Sequence, residues 1–133
     1  ARILEEGMLF NGELSLENNG GFSLIYFNAN FDLSDFSGIR LTVLGDGRTY
    51  QLRLESDAIF SHCWPVNFIS EFNTTVGKWV DIFVPFNDLN QSWRGRQLSG
   101  YTFNVQDIRR ISIMLADKIP GQFSLKIASI AAQ

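Results

Sequence analysis

The sequence contains one cysteine, Cys63, and one histidine, His62. A lone thiol forms no internal disulfide, which favours a reducing, intracellular setting such as a bacterial cytoplasm or an organelle interior. A zinc centre needs three or four Cys, His or carboxylate ligands, so the adjacent His62 and Cys63 are expected to be an ordinary strand edge. The same scarcity weighs against nucleophilic catalysis, because His62 would have to be the base and no serine lies in a nucleophile-elbow sequence. No apolar run approaches the roughly 20 residues of a transmembrane helix. The chain opens Ala1-Arg2-Ile3, without Met and already in strand-like sequence, as expected of a piece of a longer protein whose targeting segments would be missing. No stretch holds a helical apolar period over the length of a helix, and there is neither an internal repeat nor a low-complexity segment. Positive charge is scarce too. Eleven Lys and Arg stand against fourteen Asp and Glu, a net charge of −3. They form no stripe that could neutralise successive phosphates, so nucleic acid is not the expected partner.

What is abundant is apolar and aromatic. Hydrophobic residues make up 45% of the 133, with twelve Phe, enough for the packed core of one domain. The most regular stretch is Ile39 to Glu55. Ile39, Leu41 and Val43 alternate with Arg40 and Thr42, and Tyr50, Leu52 and Leu54 alternate with Gln51, Arg53 and Glu55. A period of two describes strands buried on one side. Gly45-Asp46-Gly47 between them tolerates a tight turn, and the pair is expected to be an antiparallel hairpin. The glycines do not make a phosphate loop, since the Lys-Ser/Thr and the following helix are missing.

Around that stretch the sequence predicts further strands. Ala1 to Leu4 ends one, stopped by Glu5-Glu6-Gly7. Met8 to Leu16 forms another, with Met8, Phe10, Leu14 and Leu16 inward and a bulge or kink at Asn11-Gly12. Asn18-Asn19-Gly20-Gly21 then turns the chain into a partner strand, Phe22 to Phe27. Phe31 to Gly38 reads as a connecting turn and Ser56 to Ser61 as a loop. His62 to Phe72 carries Trp64, Val66, Phe68 and Phe72 on one side. Lys78 to Val84 is apolar on both faces, as in a central strand, until Pro85 stops it. Asn87 to Gln106 is polar and reads as a long connection, followed by a helical turn over Asp107 to Arg110. Ile111 to Leu115 and Phe123 to Ile130 are the last strands. About eight short strands define an all-β sandwich or barrel. Leu41, Val43, Leu52, Leu54, Ile82, Ile113 and Leu125 are its expected core.

Five phrases in order carry a resemblance. They are Ser15-Leu16-Glu17-Asn18-Asn19-Gly20-Gly21-Phe22, Gly45-Asp46-Gly47-Arg48, Trp79 ahead of Val84-Pro85-Phe86, Arg94-Gly95-Arg96, and Leu115-Ala116-Asp117-Lys118 with Gly121-Gln122-Phe123. Together, over residues 8–131, they resemble the complex I intermediate-associated protein family, in its bacterial or plastid branch. The resemblance implies an all-β, two-sheet jelly-roll sandwich, galactose-binding domain-like, occupying residues 1–133 as a single domain. It also implies a non-enzymatic, chaperone-like protein that helps assemble a membrane or redox complex. The partners would be subunits of a respiratory or photosynthetic complex. Members usually carry an upstream segment rich in Asp, Met and Gly, so this chain is expected to lack a native N-terminal piece. Galactose-binding-like folds sometimes hold a structural calcium ion, but no Asp-x-Asp-x-Asp loop supports one here. No metal or cofactor is assigned, and no catalytic residue. A carboxylate pair of glycosidase type cannot be read from spacing.

Two surfaces emerge as candidates. In jelly-roll binding modules a sheet face often carries the ligand, which singles out Gln51 and Arg53 on the polar side of the central strands. Trp64 and Tyr101 could supply aromatic faces there, although Trp64 and Trp79 are expected in the core. Trp93 lies in the polar segment beside Arg94 and Arg96, and Trp and Arg are enriched in protein interfaces. Trp93, Arg94 and Arg96 are therefore the expected partner-binding residues. The alternative function is a carbohydrate-binding module using the sheet face.

Overall fold

A computed structural model describes residues 2–4, 7–17, 20–60, 64–93 and 96–133. Among them are eleven strands, one short 3-10 turn and no α-helix. The strands are β1 (Arg2–Leu4), β2 (Met8–Leu14), β3 (Ser23–Phe31), β4 (Gly38–Leu44), β5 (Thr49–Phe60) and β6 (Trp64–Asn73). They continue as β7 (Trp79–Pro85), β8 (Asn90–Trp93), β9 (Arg96–Gln97), β10 (Ile108–Leu115) and β11 (Gly121–Ala132). They form two antiparallel sheets. Sheet A has five strands in the order β1-β11-β4-β7, with β2 also paired to β11. Sheet B has six, in the order β3-β10-β5-β6-β8-β9.

The longer strands bury one face because their sequences alternate. Leu41, Val43, Leu125 and Ile127 line the inside of sheet A, and Leu52, Leu54, Val66, Phe68, Ile111 and Ile113 that of sheet B; all are buried. Aromatic rings pair within each sheet and between them. Phe10 meets Phe123 edge-on at 5.0 Å in sheet A, Tyr50 stacks on Phe72 at 6.0 Å in sheet B, and Phe10 meets Tyr50 across the layers at 6.3 Å between ring centres. Of the expected core, Leu41, Val43, Leu52, Leu54, Ile113 and Leu125 are fully buried. Ile82 is half-buried and packs against the core from outside it, because β7 is the edge of sheet A.

Several connections differ from expectation, for related reasons. Ile39 to Glu55 is not a hairpin. β4 belongs to sheet A and β5 to sheet B, so Gly45 to Arg48 carries the chain across the sandwich. The alternation is identical in either arrangement. A type I′ hairpin turn would need positive φ at both central residues, whereas here Gly47 (φ 89°) is the one residue of the loop that has it. For the same reason β2 and β3 are not partners: β2 pairs with β11 and β3 with β10, the chain changing sheets between them. Asn18 and Asn19 of that turn lie outside the described residues. No bulge interrupts β2 at Asn11-Gly12, where the register with β11 is continuous. Gly12 instead leaves room for the Phe123 ring, which a Cβ there would approach to 3.3 Å. Leu16 lies beyond β2 and is exposed.

β7 is an edge strand, not a central one, with an exposed Trp79. Its second apolar face is covered in part by Arg40, whose guanidinium sits 5.3 Å from the centre of the Phe83 ring. Ser56 to Phe60 continues β5 past a register shift rather than forming a loop. Within the long polar segment, β8 and β9 extend sheet B by pairing on β6 and on each other. Asn, Gln and Ser give such strands little apolar alternation, so their pairing is set by the neighbouring strand. Asp107 precedes a strand and not a helical turn. Arg109 returns to the Asp107 carboxylate at 3.0 Å.

Candidate functional site

The sheet crossing is built from two of the phrases that carried the resemblance, Gly45-Asp46-Gly47-Arg48 and Leu115-Ala116-Asp117-Lys118 with Gly121-Gln122-Phe123. The Asp46 carboxylate accepts the Arg48 amide (3.1 Å), the Tyr50 hydroxyl (3.0 Å) and the Ser124 amide (2.8 Å). Arg48 donates through Nε and Nη2 to both oxygens of Asp117, at 2.9 and 2.8 Å, and through Nη1 to the Gln122 carbonyl at 3.0 Å. It also donates to the Ile119 carbonyl. Thr74 completes the corner, its hydroxyl donating to the Arg48 carbonyl at 2.6 Å. The Arg48 hydrogen bonds hold the Asp117 carboxyl below its ordinary range, and the Asp117 partner pushes Arg48 further up. Burial, then the neighbouring Asp46, raises the Tyr50 phenol far above its usual range. A cleft of ≈ 490 Å³ opens beside this corner, lined by Gly12, Glu13, Asp46, Phe123 and Ser124 among others. Every group of the corner is matched internally, so its chemistry is that of a clasp joining two loops to both sheets.

The outer face of sheet B is different. Residues facing away from the core fall into rows across the strands: Asn28, Arg110, Glu55 and Asn67 in one, and Tyr26, Ser112, Arg53 and Ile69 in the next. Arg110 lies over the Tyr26 ring at 4.4 Å, donates to Asn28 at 3.1 Å and pairs with Glu55 at 3.3 Å. Arg53 donates to the Gln51 amide oxygen at 2.9 Å and approaches the Met114 sulfur at 3.1 Å. Burial draws the Arg53 guanidinium below its usual value and pushes the Glu55 carboxyl above its own. Gln51 and Arg53 thus sit together on a polar face, as expected. Glu55 was placed on that polar side by alternation but not singled out; Tyr26, Arg110 and Asn28 were missed, although Tyr26 alternates with Ile25 and Phe27 as the strand period requires.

Trp64 and Tyr101 do not join that face. The alternation of β6 places Trp64 on the side of Val66 and Phe68, opposite Gln51 and Arg53. It is not core, being 43% exposed, and Trp79 is 54% exposed. Trp64 meets Trp93 instead, ring centres 5.9 Å apart and tilted by 51°. Trp93 is half-buried at the end of β8, opposite the exposed Arg96 of β9. Tyr101 packs against the core, its amide donating to Gln91 Oε1 at 2.9 Å and its carbonyl accepting from Gln91 Nε2. Arg94, His62 and Cys63 lie outside the described residues. Among the described residues no group of three His, Cys, Asp or Glu side chains could hold a metal ion. Nor is any helix there long and apolar enough to cross a membrane.

Two antiparallel sheets packed face to face, with strands switching between them, define a jelly-roll sandwich of the galactose-binding-like class. Solved structures of that shape include the family 11 carbohydrate-binding module of a cellulosomal cellulase of Clostridium thermocellum. It matches with a TM-score of 0.62 at 15% identity, over 92% of this chain and 82% of the module. A family 30 carbohydrate-binding module matches with a TM-score of 0.67 at 12% identity, over 96% and 76%. The sequence is more specific. The family model for complex I intermediate-associated protein 30 matches residues 2–127, and the chain belongs to that family. Relatives in Caenorhabditis briggsae and Caenorhabditis elegans, each named a probable mitochondrial complex I intermediate-associated protein 30, are 30% identical over 131 residues. That alignment spans 95% of this chain and 38% of each relative.

Proposed function

We propose that this chain is a non-enzymatic protein-binding domain that serves the assembly of a respiratory complex, engaging its partner at the Trp64–Trp93–Arg96 end of sheet B. Family membership supports the assembly role. The observation that carries the site is the pair of indoles at 5.9 Å, one of them 43% exposed, beside an arginine on a short edge hairpin. Flat aromatics bury large apolar area at little entropic cost, and a guanidinium can pair bidentately with a partner's carboxylates. Such a combination suits the centre of a protein interface. Arg94, the third residue of the expected partner-binding set, lies outside the described residues. The test is partner capture by Trp93→Ala with Arg96→Ala. Capture is expected to weaken at least ~10-fold, or ~1.4 kcal/mol, while unfolding free energy stays within ~1 kcal/mol of the parent. Loss of several kcal/mol of stability, or undiminished capture, would assign these residues to the fold.

A second reading rests on the outer face of sheet B. An exposed Tyr26 ring lies there beside Arg110, Asn28, Gln51 and Arg53, a mixture of aromatic face and hydrogen-bonding groups that suits sugar hydroxyls. One structural neighbour was solved with a β-1,3-1,4-mixed-linked tetrasaccharide. Calorimetric titration with that oligosaccharide decides it: saturable heat lost in Tyr26→Ala supports this reading, and no heat removes it.

A further inference from the structure

Sandwiches leave strand edges, and an exposed edge presents backbone donors and acceptors to any other extended chain. Among the described residues five strands lie at sheet edges. β1 is three residues long, β7 carries Asp81 and ends in Pro85, β2 carries Glu13, and β9 is two residues long with Arg96. Charge, proline and brevity are the usual protections of an edge. β3 has none of these. It runs nine residues, SLIYFNANF, without a charged residue, proline or glycine. Its one irregularity is a register shift against Ile108–Arg110, which falls near its end and leaves Ser23 to Asn28 regular. Among the described residues no backbone hydrogen bond reaches it from any segment other than β10. Its inward residues Ile25, Phe27 and Phe31 stay only partly buried, whereas Ile111 and Ile113 of the adjoining β10 are fully buried. Outward, Leu24 is 38% exposed, and Phe22, just before the strand, 55%.

We infer that β3 is a self-association edge, pairing antiparallel with β3 of a second copy so that two copies of sheet B run on as one. Charge singles out this occupant. At the start of β3 the Lys118 side chain lies against Gly21, its Nζ 2.8 Å from where a Cβ would stand. At the other end comes Asp32, which accepts hydrogen bonds from Ser34 and is held below its ordinary pKa by them. An antiparallel two-fold arrangement brings the lysine end of one edge to the aspartate end of the other. The uncharged strand between them opposes no like charges. The edge is at the far side of sheet B from the Trp64–Trp93 pair, so the two surfaces stand or fall separately.

Sedimentation equilibrium over a wide concentration range tests the inference. The parent is expected to form a dimer, with the outward amides of β3 protected from hydrogen exchange only at concentrations where it is dimeric. Leu24→Lys is expected to weaken dimerisation at least ~10-fold, as is Lys118→Glu. Lys118→Glu combined with Asp32→Lys, which reverses both charges, should restore it. Thermal melts at low concentration check that the variants are folded. A monomer at every concentration, or a dimer indifferent to these changes, overturns the proposal. So does a β3 edge that stays open to exchange until a strand from a different protein is added.

Discussion

Removing Arg48 is the sharpest test of how the two sheets are joined. Its guanidinium and the Asp117 carboxylate are each only 12% exposed and meet through two hydrogen bonds of 2.8–2.9 Å. Arg48→Met keeps most of the apolar stem but leaves Asp117 with backbone amides alone, its own and that of Ile119 at 3.0 Å. It also frees the Gln122 and Ile119 carbonyls that Arg48 now holds. Breaking a fully buried pair by deleting one partner costs about 3–5 kcal/mol, and this part-buried one should cost about 2–3 kcal/mol. For a domain of this size that corresponds to roughly 6–12 °C in melting temperature. The assay is urea unfolding followed by far-UV circular dichroism, with the parent, Arg48→Met and Arg48→Met/Asp117→Leu. The double variant, with no stranded charge, should recover much of the loss. The pH dependence gives an independent sign. Because the folded pKa of Asp117 is depressed below 3.8, its contribution is full above that value and disappears as pH falls through the folded pKa. Asp117→Asn should therefore flatten the acid limb of the stability profile. If Arg48→Met unfolds within 0.5 kcal/mol of the parent, as for an ordinary surface substitution, the clasp is not what joins the loops.

Two further outcomes follow from the core and from sheet B. Leu41→Ala removes a side chain with no exposure from the middle of sheet A, and should cost ~2–5 kcal/mol in the same urea assay. Glu55 is the opposite case to Asp117, since burial raises its folded pKa above 4.5. The parent should lose stability relative to Glu55→Gln as pH rises from 4.5 through the raised value, whereas a difference independent of pH would contradict the burial assigned to it.

The strands were legible because a period of two needs no knowledge of partners. Leu41, Val43, Leu52 and Leu54 are buried in a hairpin and in a sheet crossing alike, and for that reason the pairing was not legible. Glycine and aspartate serve both turns equally well. What separates them is Arg48 reaching Asp117 and Thr74 closing on Gly47, contacts between residues 26 to 69 positions apart. β8 was hidden because Asn90, Gln91 and Ser92 gain strand structure from β6 and not from their own propensity. Trp64 and Trp79 were misplaced because ring size predicts burial only where a layer exists to cover the ring. Gln51 and Arg53 were found on a shared face by alternation alone. Tyr26 and Arg110 required the register that brings β3, β10 and β5 side by side.

The central claim, a protein-binding domain acting in respiratory complex assembly, is tested most directly by quantitative affinity capture from mitochondria or membranes of the source organism. The parent chain and Trp93→Ala/Arg96→Ala are compared with folding verified, and captured proteins are measured by mass spectrometry. Respiratory complex subunits or their assembly intermediates should be enriched on the parent and fall at least ~10-fold on the variant. No such proteins on the parent, or equal amounts on both, would contradict the account.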